Sequence, residues 1–390
     1  MSSIEPTRSI TLDLPPSCIE FCPSHPHYAV VGTYNLEKPD APGFTEGEGE
    51  RKSQQRNGSL ILLQIDGDDV KLLQTLPTPS AILDVHFLGR NSDSVFGVAT
   101  STGSIGFYKL MAVQNGEPTM VHKSTIQYCP EDVLVTAFAW YPDGDTLGMS
   151  LSSGQICLGQ SSQATSDLTN RDVETLTHDL EAWTLAFLPD GSGLLSGGDD
   201  CALRFTELPR NPIEALDGNA AEPEYIPPKR AAWVDKKIHC AGVTAILPIH
   251  CDDAGMLIVT GSYDDHIRLV HAPAVGRRQV LSEAQLGGGV WRLKVLTRKP
   301  SVQGRPASPE PCPDELVLLV SCMHAGARIV RLFHSEETWQ FEVLAKFEKH
   351  QSMNYGSDCQ PEPNERGQRT IVSTSFYDRL LCLWRYGALL

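Results

Sequence analysis

LIVTGSYDDHIRLV occupies residues 257–270. A run of apolar and small residues reaches Ser262, Tyr263-Asp264-Asp265 breaks it, and a second run follows from Ile267. Two short runs of this kind around a polar turn read as a β-hairpin. The arrangement recurs in LLSGGDDCALRF (194–205), LVSCMHAGARIVRL (319–332) and VSTSFYDRLLCLW (372–384). Aligned without gaps on their second strands, Asp200, Asp264 and Asp378 fall at one turn position, and His324 falls there in the fourth copy. A position that otherwise holds an acceptor-only carboxylate therefore carries a ring that can donate, accept and titrate near neutrality.

Working outward, strand–turn–strand cores are expected at residues 28–36, 95–110, 146–158, 193–205, 256–270, 316–332 and 370–384. A further strand precedes most of them, at 17–22, 82–87, 134–140, 182–188, 242–247 and 289–295, and two of these run into Pro-Asp-Gly turns, YPDG (141–144) and LPDG (188–191). Long segments of helical period are absent, so the chain reads as all-β. A four-stranded unit repeated seven times implies a β-propeller, because one blade cannot bury both faces and must stack on its neighbours. Residues 1–390 are expected to form a single seven-bladed propeller. Residues 9–14 would supply the outer strand of the last blade, closing the ring and removing exposed sheet edges. Residues 37–57, 209–236 and 298–313 interrupt the repeats and read as surface loops.

Of the 390 residues 41% are hydrophobic and 21% charged, which places the chain among globular proteins rather than disordered ones. A net charge of −16 argues against non-specific binding to nucleic acid or anionic membrane and suits a cationic ligand. The eleven cysteines are scattered without a C-x-x-C pair, and several sit inside apolar runs such as Leu381-Cys382-Leu383. They read as buried free thiols of a reducing compartment. The opening MSSIEPTRSITLDLPP has no apolar core, and no run is long enough to span a bilayer. A cytoplasmic monomer that requires no cofactor and no metal is expected.

The sequence contains no G-x-S-x-G elbow, Walker loop, G-x-G-x-x-G or H-E-x-x-H. GSYDDHIRLV resembles the WD40 signature, although Val270-His271 stands where that family has Trp-Asp and Leu383-Trp384 is the sole Leu-Trp ending. In WD40 propellers the turns between the second and third strands share a face with the loops between blades. The resemblance thus implies a mouth surrounded by Asp199, Asp200, Tyr263, Asp264, His324, Tyr377 and Asp378, with Glu181, Gly287, Gly288, Gly289, Trp291 and His350 nearby. Each has a plainer reading: a turn aspartate caps its own turn, three glycines make a flexible loop, and aromatic residues pack blades together. Against these, three consecutive glycines offer free N–H groups to an oxyanion. Tyr34, Trp183, Tyr263, Trp291 and Tyr377 can hold a quaternary ammonium if they face the mouth.

Together GSYDDHIRLV (261–270), GGGVWRLK (287–294), CMHAG (322–326), YGSD (355–358) and SFYDRLLCLW (375–384) resemble the diphthine methyl ester hydrolase (diphthine methylesterase) family of diphthamide biosynthesis. The resemblance covers the last four repeats in motif and the first three in architecture, with GTYNL (32–36) fitting the first. Val295-Leu296 and Cys359 depart from the expected Trp-His and Trp. The resemblance implies hydrolysis of a methyl ester on a modified histidine of translation elongation factor 2, whose side chain carries a trimethylammonium group beside the ester. Ester hydrolysis needs an activated water and a stabilised oxyanion. His324 is the first candidate for general base and His350 the second, with Asp264 or Asp199 orienting the base or holding the cation. Tyr263, Trp291 and Tyr377 would contact substrate, and the amides of Gly287, Gly288 and Gly289 the oxyanion. The competing class is a non-catalytic WD40 adaptor or scaffold in assembly or trafficking. Such a scaffold has no need of a histidine in the aspartate position beside a glycine turn.

Overall fold

The structure is a computed structural model that describes residues 2–37, 55–89, 94–111, 116–161, 171–172, 176–209, 230–300, 312–335 and 338–387. Among them lie seven separate sheets, each of four strands or more, and no helix long and apolar enough to cross a membrane. The blades are numbered in chain order, and the strands within each are lettered a to d from the axis outward. The inner strands are Pro16–Phe21, Ile82–Phe87, Val135–Trp140, Ala182–Phe187, Val243–Asp252, Arg292–Pro300 and Ser357–Cys359. Each touches the next, and the seventh touches the first, so they form a closed ring around a central channel.

Hydrophobic burial follows from that ring. Side chains alternate along each strand, so every blade has two faces to cover. The apolar clusters fall one at each blade-to-blade interface. Between blades five and six, for instance, Val259, Ile267 and Leu269 meet Leu318, Val320, Val330 and Leu332. In each of the first five blades the pairing of strands a and b slips at the same place near the start of strand a, as between Ile82 and Asp84. Such a bulge bends the strand and re-aims the residues beside it.

The ring closes through the N-terminus. Arg8–Thr11 runs antiparallel to Leu380–Tyr386, with Ser9 opposite Cys382 and Ile10 opposite Leu381, as strand d of blade seven. Beyond this, Ser2–Ser3 pairs in parallel with Thr338–Phe347 of blade six, so the first residues bridge two blades.

Three expectations are corrected. The third strand of blade one does not follow the turn at residue 34. It is Arg56–Asp66, so the expected insertion 37–57 lies within the hairpin and its last two residues belong to that strand, with the neck held by Asn35 opposite Asn57. The stretch 209–236 is not all loop, since Trp233–Asp235 is strand d of blade four. The stretch 298–313 begins and ends as paired strand, with Pro300 opposite Pro313. Residues 38–54, 210–229 and 301–311 lie outside the described residues.

Candidate functional site

In blades four, five and seven a histidine from the loop before strand a bonds a hydroxyl of strand b near the turn aspartate, and of the three blades only in blade four do histidine and aspartate bond each other. His178 Nδ1 lies 2.8 Å from Asp200 Oδ1 and its Nε2 2.8 Å from Ser196 Oγ, while Arg204 donates to Asp200 Oδ2 at 2.9 Å. His239 Nε2 lies 2.9 Å from Thr260 Oγ1, and Asp264 accepts from Arg268 at 2.9 Å and from the Cys240 amide at 2.9 Å. His350 Nε2 lies 2.8 Å from Ser373 Oγ, which also accepts the Trp384 indole N–H at 2.9 Å. Burial would raise the Asp264 carboxyl, but Arg268 and the Cys240 amide outweigh it and hold it low. Burial lowers His350 from 6.5 to about 4.

Two residues expected to be catalytic, Asp264 and His350, are held by the framework of their blades. Asp264 is consumed by Arg268 and its own turn. His350 is 7% exposed, packs edge-on against Phe347 and fastens strand b of blade seven.

Blade six has lost this set. Val320 lies opposite Arg328, where Ser196 lies opposite Arg204 and Thr260 opposite Arg268. Leu286 takes the histidine's place: its amide bonds Asp265 O as the His178 amide bonds Gly154 O. Arg328 turns instead to Glu348, at 2.9 Å, and to Ala325 O, at 2.7 Å. With no histidine, hydroxyl or arginine left to bind, the turn position no longer needs a carboxylate. His324 is exposed, and it makes no hydrogen bond to any described residue. A general base needs a partner that orients its ring. His324 has none, so the expected assignment is not supported by the geometry.

The turn carrying His324 is unusual in its backbone. Met323 adopts φ 41°, the left-handed region that a non-glycine residue enters at some cost, and Gly326 adopts 78°. Met323 is held there by a bridge to the buried Asn354, whose amide donates to Met323 O at 3.0 Å. The glycine loop packs on this turn. A Cβ on Gly288 would stand 2.3 Å from Cys322 O, so only glycine fits, and Gly287 has φ 84°. The amides of Gly287, Gly288 and Gly289 give no hydrogen bond to any described residue.

The mouth itself is aromatic. Trp291 is the hub, with ring centroids 5.6 Å from Trp183, 5.9 Å from Tyr263 and 4.9 Å from Tyr355. The belt continues from Tyr355 to Phe376 at 5.5 Å, and from Phe376 to Tyr34 at 6.1 Å and Tyr377 at 5.1 Å. Tyr377 is 69% exposed and forms the outer end. Asp199 adjoins Tyr263, both lying against Gly242. Burial, with Glu181 and Asp200 close by, pushes the Asp199 carboxyl up; the Trp183 indole N–H opposes this from a position that closes no well-formed hydrogen bond. Of the residues expected at the mouth, the structure brings Asp199, Tyr263, Trp291 and Tyr377 into one belt and sets Gly289 against Tyr263. Tyr355 and Phe376 were not anticipated as site residues.

Below the belt the channel wall is ionic. Arg292, the residue after Trp291, donates to Asp84 Oδ1 at 2.9 Å. His86 Nε2 lies 3.2 Å from Asp84 Oδ2 and its Nδ1 2.7 Å from Glu20 Oε2. Burial would discharge His86, but Asp84 and Glu20 outweigh it and raise it from 6.5 to about 10. Lys294 Nζ lies 3.0 Å from Asp358 Oδ1. Sequence reasoning missed this network, although the signal was present: a charged side chain inside each of the short apolar runs SCIEF, ILDVHF, WRLK and GSDC. Among the described residues no group of three or more His, Cys, Asp or Glu side chains is arranged to hold a metal ion.

Fold and site together define a seven-bladed WD40-type propeller with an aromatic, acid-flanked mouth over a charged channel. The description "WD domain, G-beta repeat" matches residues 171–206. Solved propellers share the fold at low identity. A chain of the "Crystal Structure of Mitotic Checkpoint Complex" has a TM-score of 0.61 and 14% identity, covering 99% of this chain and 93% of that one. Sqt1 from Chaetomium thermophilum bound to the N-terminus of ribosomal protein L10 has 0.56 and 12%, covering 95% and 97%. The particular likeness read from the motifs extends over nearly the whole chain. It is 28% identical to "Diphthine methyltransferase homolog" of Dictyostelium discoideum, over 96% of this chain and 97% of that protein. It is 26% identical to "Diphthine methyltransferase" of Schizosaccharomyces pombe, over 98% of each. The Mus musculus protein of that name is 28% identical, over 90% of this chain and 68% of its own length.

Proposed function

We propose that this chain is the methylesterase of diphthamide biosynthesis, hydrolysing the methyl ester of methylated diphthine on translation elongation factor 2. The observation that carries this reading is the belt of Trp183, Tyr263, Trp291 and Tyr355 with Asp199 at its flank, directly above a charged channel. A trimethylammonium group is attracted to aromatic faces and cannot hydrogen-bond, so a receptor for it is a set of rings with a carboxylate nearby. The ester one carbon away then falls among groups able to polarise it. The free amides of Gly287, Gly288 and Gly289 offer hydrogen bonds to the backbone of the incoming loop. The net charge of −16 favours approach of the cationic side chain. On this reading the protein acts as a cytoplasmic monomer, where its substrate is.

The relatives' names speak of methyl transfer, whereas the proposed reaction removes a methyl group by hydrolysis. Purified protein incubated with the methylated factor should release methanol and leave the factor one methyl group lighter. Tight binding without any mass change would instead make the chain an adaptor.

A further inference from the structure

Asp199 sits between two of the rings that meet Trp291. On one side it adjoins Tyr263: a Cβ on Gly242 would stand 2.6 Å from Asp199 Oδ1 and 2.9 Å from Tyr263 Cδ2. Gly242 does not have a left-handed backbone, so the reason for glycine there is the room it leaves to the carboxylate and the ring. Gly289 lies against the other edge of the same ring. On its second side Asp199 meets the Trp183 indole N–H, a buried donor that closes no well-formed hydrogen bond. Asp200 and Asp264 are each gripped by an arginine, whereas no described residue ion-pairs with Asp199 or gives its carboxylate a well-formed hydrogen bond, and neither of its oxygens is sealed from solvent. The hydroxyls of Tyr263 and Tyr355 bond no described residue either, and Asp199 and Tyr355 are both close enough to act on the Tyr263 hydroxyl. One carboxylate and three donors therefore meet at the aromatic mouth with their hydrogen-bonding capacity unused, and a polar ligand is what satisfies such a set.

Resting on the reading above, we infer that Asp199 is the general base of the hydrolysis and that the Tyr263 hydroxyl receives the charge that develops on the carbonyl oxygen. The rings that hold the trimethylammonium group set its neighbouring ester beside both. A water bonded to Asp199 attacks the ester carbonyl carbon and passes a proton to the carboxylate. The carbonyl π pair moves to oxygen, where the Tyr263 O–H meets it. Collapse of the tetrahedral intermediate restores the carbonyl and breaks the bond to the methoxy oxygen, which leaves as methanol with the proton from Asp199. The product acid releases its own proton to solvent, so water is the only reactant consumed. Burial, with Glu181 and Asp200, raises the Asp199 carboxyl and makes it a better proton acceptor than an exposed aspartate. Burial and the charge of Asp199 raise the Tyr263 hydroxyl, which keeps its proton available for donation.

The test is steady-state hydrolysis of methylated elongation factor 2 by parent and variants, each checked by thermal melt. Asp199→Asn should lower kcat by about 10²–10⁴-fold, a fall that exceeds any change in KM. Tyr263→Phe keeps the ring that faces the cation and removes only the hydroxyl, so kcat should fall by roughly 10²-fold with KM unchanged. An active parent whose folded Asp199→Asn variant keeps its kcat within about threefold overturns the base and leaves the functional reading standing; a rise in KM alone would make Asp199 a holder of the cation. If Asp199→Asn fails to fold, Tyr263→Phe decides, and an unchanged kcat overturns the pair. A folded parent that hydrolyses nothing overturns the functional reading and the pair with it.

Discussion

Asp264 and His324 stand at the same ladder position in adjacent blades, and their surroundings decide what each can be. Asp264 is gripped by Arg268 and a backbone amide, whereas His324 has Val320 and Leu286 where partners would be and projects outward. Changes at His324 should therefore leave the fold alone. His324→Ala and His324→Asp are expected to shift stability by no more than about 0.5 kcal/mol, read from melting curves. A 10²–10⁴-fold fall in turnover by either folded variant would return the base to the rim. At the mouth, Trp291→Leu keeps apolar bulk but removes the ring that meets Trp183, Tyr263 and Tyr355. It should raise KM for the methylated factor by roughly 2- to 30-fold, the range of one cation–π contact, with kcat little changed. An unchanged KM would remove Trp291 from the cation site.

At the scale of the element, two histidines fasten inter-blade loops to second strands. His239 and His350 are buried, each has one nitrogen on a hydroxyl, and each has its Nδ1 without a partner. Burial lowers both from 6.5 to about 4, with Arg268 adding to the effect at His239. The unfolded chain therefore binds more protons between those pH values. The contribution of these two histidines should be constant above about pH 6.5 and fall below it, by up to about 1.4 kcal/mol per pH unit for each histidine until about pH 4. Replacing His350 with Gln should flatten part of that slope in melts taken across the range. His86 works in the opposite sense: its charged form is favoured in the folded channel, so its contribution is present below pH 6.5 and lost as pH rises toward 10. The hairpins around these loops could be read from alternation and turn residues alone. The third strand of blade one and Trp233–Asp235 could not, because long insertions separate them from their partners and a three-residue strand has no measurable period.

For the whole molecule, closure is the property on which the channel depends. Removing residues 2–11 would strip strand d from blade seven and the added strand from blade six. With hydrogen bonds worth about 1 kcal/mol each, the loss should be about 2–4 kcal/mol, with aggregation through the bared edge of Leu380–Tyr386 seen by light scattering. The seven-fold repeat and this closure were visible in the sequence because blades obey a local pattern. The mouth was visible in part: Tyr263, Trp291 and Asp199 sit in turns whose place on the ring the repeat dictates. The channel network was not, since Asp84 and Arg292 are 208 residues apart and meet only once the ring is closed. The central claim is that this ring of blades hydrolyses a methyl ester beside a quaternary ammonium. Its most direct test is mass spectrometry of methylated elongation factor 2 after incubation with the purified protein, with methanol measured in parallel. Loss of one methyl group with equimolar methanol is the expected result. An intact ester, or a methyl group gained by the factor, would contradict it.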